Sequence, residues 1–189
     1  DGMVLLKNGG ALPFSGVKSI SVCGCFAKPD TIEMLRGGGS AGVEWSDKTF
    51  DIPAALEKRG YSVAYEGAFR YDGVESFSQN ARAALLNAAK SDANIVCVGT
   101  GNPVEYEAGD RKTLRLPEVQ ERAILETAKQ NENTIVIVFA GGAVDMRAWA
   151  DRVKAVLFAG FPGMGGDEVV VDILTGKINP SGKLSETFP

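Results

Sequence analysis

The sequence predicts an α/β fold: a mainly parallel sheet of about five to six strands, sandwiched between helices. Three observations predict it. Runs such as residues 95–99, and 135–140 within the expected strand at 134–140, are apolar throughout, as in strands covered on both faces. Between such runs lie stretches with helical spacing, residues 76–89 and 117–130. Glycine is the one enriched residue type, at 23 of 189 positions, and it gathers at turns and strand ends.

Taken in order, Val4-Leu5-Leu6-Lys7-Asn8 is a short apolar segment, and residues 9–14 make a turn with a hydrophobic anchor. Residues 19–24 read as the first core strand. Residues 31–36 suit a helical turn, and Gly37-Gly38-Gly39-Ser40-Ala41-Gly42 is a glycine-rich loop. Residues 52–59 have helical spacing, stopped by Gly60, and residues 61–65 alternate as a strand. Ser76 can cap the next helix, whose stripe is Phe77, Ala81, Ala84, Leu85 and Ala88. After the strand at 94–98, Pro117 suits the first turn of a helix running to 130. A strand at 134–140, a short helix at 145–150, a strand at 153–158 and a helix at 167–174 follow. Asn179-Pro180-Ser181-Gly182-Lys183-Leu184 turns into a short final strand. The expected core is Ile20, Val22, Val63, Leu85, Ile95, Val96, Val98, Ile135, Val136, Ile137, Val138, Val156 and Leu157. No internal repeat or linker divides the chain, so residues 1–189 read as a single domain. The opening Asp1-Gly2-Met3-Val4 reads as the middle of a longer chain.

Composition excludes several functions. Net charge is -4, which leaves no basic surface for nucleic acid and no polybasic membrane patch. No apolar run approaches the roughly 18 residues that span a bilayer. Histidine is absent, so a Ser-His-Asp triad and histidine zinc sites are excluded within this chain, and no metal or other cofactor is implied. Cys23 and Cys25 fall on one face of the same expected strand. With Cys97 they read as small buried residues and favour a reducing, cytoplasmic setting.

The chemistry concentrates in Val104-Glu105-Tyr106-Glu107-Ala108-Gly109-Asp110-Arg111, just past a buried strand. In open α/β sheets ligands bind outside the carboxyl ends of strands. Glu105 and Glu107 are both free to project, and Asp110-Arg111 suits an ion pair fixing the loop. Two carboxyl groups in an apolar-flanked loop suit a general acid; a solvated acidic turn is the alternative. The glycine-rich loop is either ligand-lining or plainly flexible, and it lacks the phosphate-loop spacing. Gly160-Phe161-Pro162-Gly163-Met164-Gly165-Gly166 reads as a tight strand-to-helix turn. Asp145 reads as a helix cap. Trp45 and Trp149 suit sugar stacking or core packing. Asp72, Glu75 and Asp92 read as solvated charges.

Three stretches resemble the second, α/β-sandwich domain of glycoside hydrolase family 3. They are Gly2-Met3-Val4-Leu5-Leu6-Lys7-Asn8 with Leu12-Pro13, and Glu107-Ala108-Gly109-Asp110-Arg111 with Leu116-Pro117 and Gln120. The third comprises Trp149-Ala150-Asp151, Ala155-Val156-Leu157, Pro162-Gly163, Gly165-Gly166, Asn179-Pro180-Ser181-Gly182-Lys183-Leu184 and Thr187-Phe188-Pro189. Gly37-Gly38-Gly39-Ser40-Ala41 also looks like the family's loop. The resemblance implies retaining cleavage of β-linked sugars, a β-linked glucoside or oligosaccharide above all. It implies a partner, a (β/α)₈ barrel domain of the same enzyme carrying the nucleophilic aspartate. On this footing Glu107 is the acid/base and Glu105 the second choice. Ser40, Ala41, Asp110 and Arg111 are the substrate-binding positions, with Arg111 orienting the loop. The barrel, its nucleophile segment and its lysine-histidine pair are not in this sequence, so the chain alone is expected to be inactive. A noncatalytic domain that braces the barrel or binds carbohydrate is the alternative, and a nucleotide-binding α/β domain a distant third.

Overall fold

A computed structural model describes residues 2–29, 50–68, 79–101, 104–109 and 111–189, with only the backbone at 79 and 80. The strands are β1 (Val4–Asn8), β2 (Ser19–Cys23), β3 (Ser62–Glu66), β4 (Ala93–Gly99), β5 (Thr134–Phe139) and β6 (Ala155–Phe158). The α-helices are α1 (Ile52–Glu57), α2 (Gln79–Lys90), α3 (Glu118–Gln130) and α4 (Gly166–Leu174). The strands form one six-stranded sheet in the order β1-β6-β5-β4-β2-β3. Every pairing is parallel except β1 with β6.

Residues of β4 and β5 are buried without exception, because helices cover both faces. Side chains alternate across the sheet. Ile95, Cys97, Ile135, Ile137, Phe139 and Leu157 pack on the side of α1 and α4. Val96, Val98, Val136, Val138 and Val156 pack on the side of α2, α3 and Trp149. One polar seam crosses this core: Ser21 Oγ donates to Asn94 Oδ1 at 2.6 Å, and Asn94 Nδ2 donates to Thr134 Oγ1 at 3.1 Å. Each polar side chain of this seam thus has a partner.

Sheet order sets the place of the site. From β2 the chain steps outward to β3, whereas from β4 it steps the other way to β5 and β6. The direction switches between β2 and β4, and in open α/β sheets ligands bind past the carboxyl ends at such a switch. The acidic loop leaves β4 there.

Several expectations change. Val63 and Leu85 are half-buried, because β3 is an edge strand and Leu85 flanks the stripe of α2. Cys25 leaves the strand: β2 stops at Cys23, and Cys25–Ala27 is a 3-10 helix with Cys25 half-buried. The short helix expected at 145–150 is instead the 3-10 helix Ala150–Arg152. Asp145 caps no helix; its Oδ1 accepts from the Arg147 backbone N–H at 3.1 Å and from its Nε at 2.9 Å. The segment after Leu184 is not a strand; beside β1, Gly182 N donates to Met3 O. Asp92 is an anchor: its Oδ2 accepts from Lys18 N, Ser19 N and Ser19 Oγ at 2.8 to 2.9 Å, fixing the start of β2. Hydrogen bonds from the Ser19 and then the Lys18 backbone hold its carboxyl below the ordinary value. Residues 31–42, Trp45, Asp72, Glu75, Ser76 and Phe77 lie outside the described residues.

Candidate active site

The platform is the end of β4. A Cβ on Gly99 would lie 2.2 Å from the Phe139 carbonyl oxygen, so only glycine fits. The buried Gln120 of α3 takes up the Gly99 backbone in both directions: Gly99 N donates to Oε1 at 2.8 Å, and Nε2 donates to Gly99 O at 2.9 Å. Thr100, fully buried, donates its N–H to Phe139 O at 2.9 Å. The loop therefore starts from a fixed point.

Within the loop the two glutamates part company. Glu105 folds back toward the sheet. Its Oε2 accepts from Thr100 Oγ1 at 2.5 Å and from Gly141 N at 3.3 Å, and it lies 3.7 Å from Arg111 Nε. Tyr106 and Gly109 then close a tight turn, with Gly109 N donating to Tyr106 O at 3.1 Å. Ala108 takes a left-handed φ of 66° at its corner. Glu107 is exposed on this tip. A Cβ on Gly109 would lie 2.1 Å from the Tyr106 ring, so the ring rests where another residue would have its side chain.

Arg111 leads the chain back down. Its side chain is 11% exposed, and its Nη1 is buried with no hydrogen-bond partner. Its Nη2 would stand 3.2 Å from a Cβ on Gly142, so glycine leaves room for the guanidinium. The same glycine lies near Glu186, whose Oε1 accepts from Ala143 N at 3.0 Å. Beside the loop is a cleft of about 370 Å³ lined by Val104, Tyr106, Gly109, Arg111, Lys112, Thr113, Arg115, Leu116 and Pro117. Arg115 is held at its rim by Glu121 of α3.

Glu105 and Arg111, read from sequence as site residues, thus meet, and Glu107 stands on the turn between them. The sequence leaves both glutamates free to project, and the structure separates them: Glu107 is exposed, whereas Glu105 is half-buried and finds donors just past the ends of β4 and β5 that the sequence does not reveal. Asp110, Ser40 and Ala41 lie outside the described residues, as does the expected Asp110–Arg111 pair. Trp149 is 0% exposed and belongs to the core, not to a sugar platform. Thr100, Gly141, Gly142 and Glu186 were missed. Their link to the loop comes from separate chain segments and leaves no local pattern.

Other chemistry is weak here. Burial pushes the Cys23 thiol up to about 12 and Cys97 well above its ordinary value, so neither is a ready nucleophile. Among the described residues, no group of three or more carboxylates and cysteines gathers around a metal position, and no helix is long and apolar enough to cross a membrane.

Comparison with known proteins identifies the family of this fold. The model of the glycosyl hydrolase family 3 C-terminal domain matches residues 3–189. The thermostable beta-glucosidase B of Acetivibrio thermocellus is 34% identical over 200 residues, covering 100% of this chain and 25% of the relative. A probable exo-1,4-beta-xylosidase of Aspergillus terreus is 33% identical over 190 residues, with 99% and 24% covered. The crystal structure of a Bifidobacterium adolescentis GH3 beta-glucosidase superposes with a TM-score of 0.87 at 31% identity, over 99% of this chain and 27% of that one. The chain spans about a quarter of these relatives' length. It belongs to glycosyl hydrolase family 3, in which it corresponds to the C-terminal domain.

Proposed function

We propose that this chain is the acid/base-carrying domain of a retaining β-glycosidase that hydrolyses β-linked glucosides. Glu107 is the general acid and base. The observation that carries this reading is the divergence of the two glutamates: Glu105 is bound down among Thr100, Gly141 and Arg111, while Glu107 stands exposed on the turn past the carboxyl end of β4. A group that must reach a substrate held by another domain needs that outward placement.

In this mechanism Glu107 protonates the leaving glycosidic oxygen as an aspartate of the barrel domain attacks the anomeric carbon. The resulting carboxylate then takes a proton from the water that releases the sugar. Retention places the two carboxyl groups roughly 5–5.5 Å apart, so the tip must dock against the barrel. The cleft beside the loop is where the leaving group would emerge.

The test uses the full-length enzyme and nitrophenyl β-glucosides. Glu107→Ala should lose activity, and azide should restore turnover with a β-glucosyl azide as product. Glu107→Gln should lower kcat/KM for poor leaving groups by about 10²–10⁴-fold and that for activated aryl glucosides less. Full activity in Glu107→Ala would leave the domain as a brace for the barrel.

A further inference from the structure

We propose that Glu105 is a positioning residue for Glu107, acting with Arg111 as a clamp seated on Gly141 and Gly142. The proposal rests on Glu107 being the acid/base. A loop tip is a poor platform for a group whose misplacement by about 1 Å can cost 10²-fold in rate. Here both flanks of the tip are tied down. Glu105, before the turn, receives Thr100 Oγ1 at 2.5 Å and Gly141 N at 3.3 Å, so it joins the continuations of β4 and β5. Arg111, after the turn, lies 3.7 Å from the same carboxylate oxygen.

The glycine pair makes the seat. A Cβ on Gly141 would stand 2.6 Å from Glu105 Oε1, and one on Gly142 would stand 3.2 Å from Arg111 Nη2. Two adjacent positions are thus open just where the two clamp side chains descend. Gly141 reaches the clamp through its N–H, so β5 as well as β4 sets the height of the tip.

The experiment compares kcat/KM in the full-length enzyme for cellobiose, a poor leaving group, and 2,4-dinitrophenyl β-glucoside, an activated one. Glu105→Ala and Gly141→Ala should each lower cellobiose cleavage by about 10–100-fold and dinitrophenyl glucoside cleavage less than about threefold. Glu105→Gln keeps an oxygen for Thr100 and Gly141 and should restore part of the cellobiose rate. The double variant Glu105→Ala/Gly141→Ala should be less than about threefold worse than Glu105→Ala, since the added methyl then meets no carboxylate and only the Phe161 ring edge, at 3.0 Å. Azide should rescue Glu107→Ala and not Glu105→Ala. If Glu107→Ala is rescued while the Glu105 and Gly141 variants are unchanged, or lose both substrates equally, the clamp is wrong and the acid/base reading stands. If azide rescues Glu105→Ala instead, both are overturned. Should Glu105→Ala fail to fold, Gly141→Ala and Glu105→Gln decide by the same leaving-group ratio.

Discussion

Gln120 shows how one side chain fixes the start of the acidic loop without entering it. It replaces, for Gly99, the strand neighbour that β4 lacks where the sheet ends. Both Gly99 backbone groups are in the buried core, and leaving a buried group unsatisfied costs about 1–3 kcal/mol. Gln120→Leu should therefore lower unfolding free energy by at least that amount, measured by denaturant titration. Gly109 has the opposite character. Its Cα lies under the Tyr106 ring on an exposed turn, so an added methyl disturbs the turn and little else. Gly109→Ala should shift Tm by less than about 2 °C, as expected for a change of a few tenths of a kcal/mol. It should still reduce cellobiose cleavage by the full-length enzyme, and Tyr106→Ala in the same chain should recover part of the loss.

At the scale of elements, α1 and α4 are held by charge as well as by packing. Arg59 Nη2 bonds Asp172 and lies 2.8 Å from Glu168, and Lys177 Nζ reaches Asp172 at 3.0 Å. Burial raises the Asp172 carboxyl, and the bonds from Arg59 and Lys177 lower it; the net is below the ordinary value. A depressed carboxyl contributes stability that is fully present above the unfolded value, about 3.9, and is lost as pH falls through the folded one. Arg59→Leu should cost about 1–3 kcal/mol at neutral pH, less than a fully buried pair because Arg59 keeps 20% of its side-chain exposure. Between about pH 5 and about pH 3 the variant should lose less further stability than the parent chain, since part of the linkage is gone. Urea titrations at both pH values check both statements. The six-residue α1 also leans on its cap, where Asp51 accepts from Ala54 N at 2.9 Å. Asp51→Ala should cost about 1 kcal/mol.

For the whole molecule, the sheet and its two apolar layers form a complete core, whereas the proposed chemistry is incomplete. Residues 1–189 alone should unfold cooperatively, followed by circular dichroism, yet release no nitrophenol from nitrophenyl β-glucoside. Measurable turnover by the isolated chain would show that the nucleophile is not supplied from elsewhere. The same division explains why the acidic loop is built as it is: its anchors belong to this domain's sheet, and its tip faces outward.

The sequence by itself determined the sheet and its layers. Fully apolar runs such as residues 135–139 admit a strand covered on both faces, and the stripes of Ala81, Ala84 and Ala88, and of Ala123 and Ile124, admit helices with one buried side. Periodicity is local, so it is legible in one dimension. The two glutamates after β4, where no fold requirement asks for charge, also single out that loop in the sequence as the candidate site. Only the tertiary structure decided which glutamate turns inward. Thr100 is near Glu105 in sequence, but Gly141 is 36 residues away, and the sheet alone brings β4 and β5 side by side. The same holds for Trp149, whose burial depends on layers built from distant segments, and for Asp92, whose three donors come from the start of β2. A side chain's role follows from its nearest donors and acceptors, and in a parallel sheet those neighbours are separated along the chain by a whole crossover.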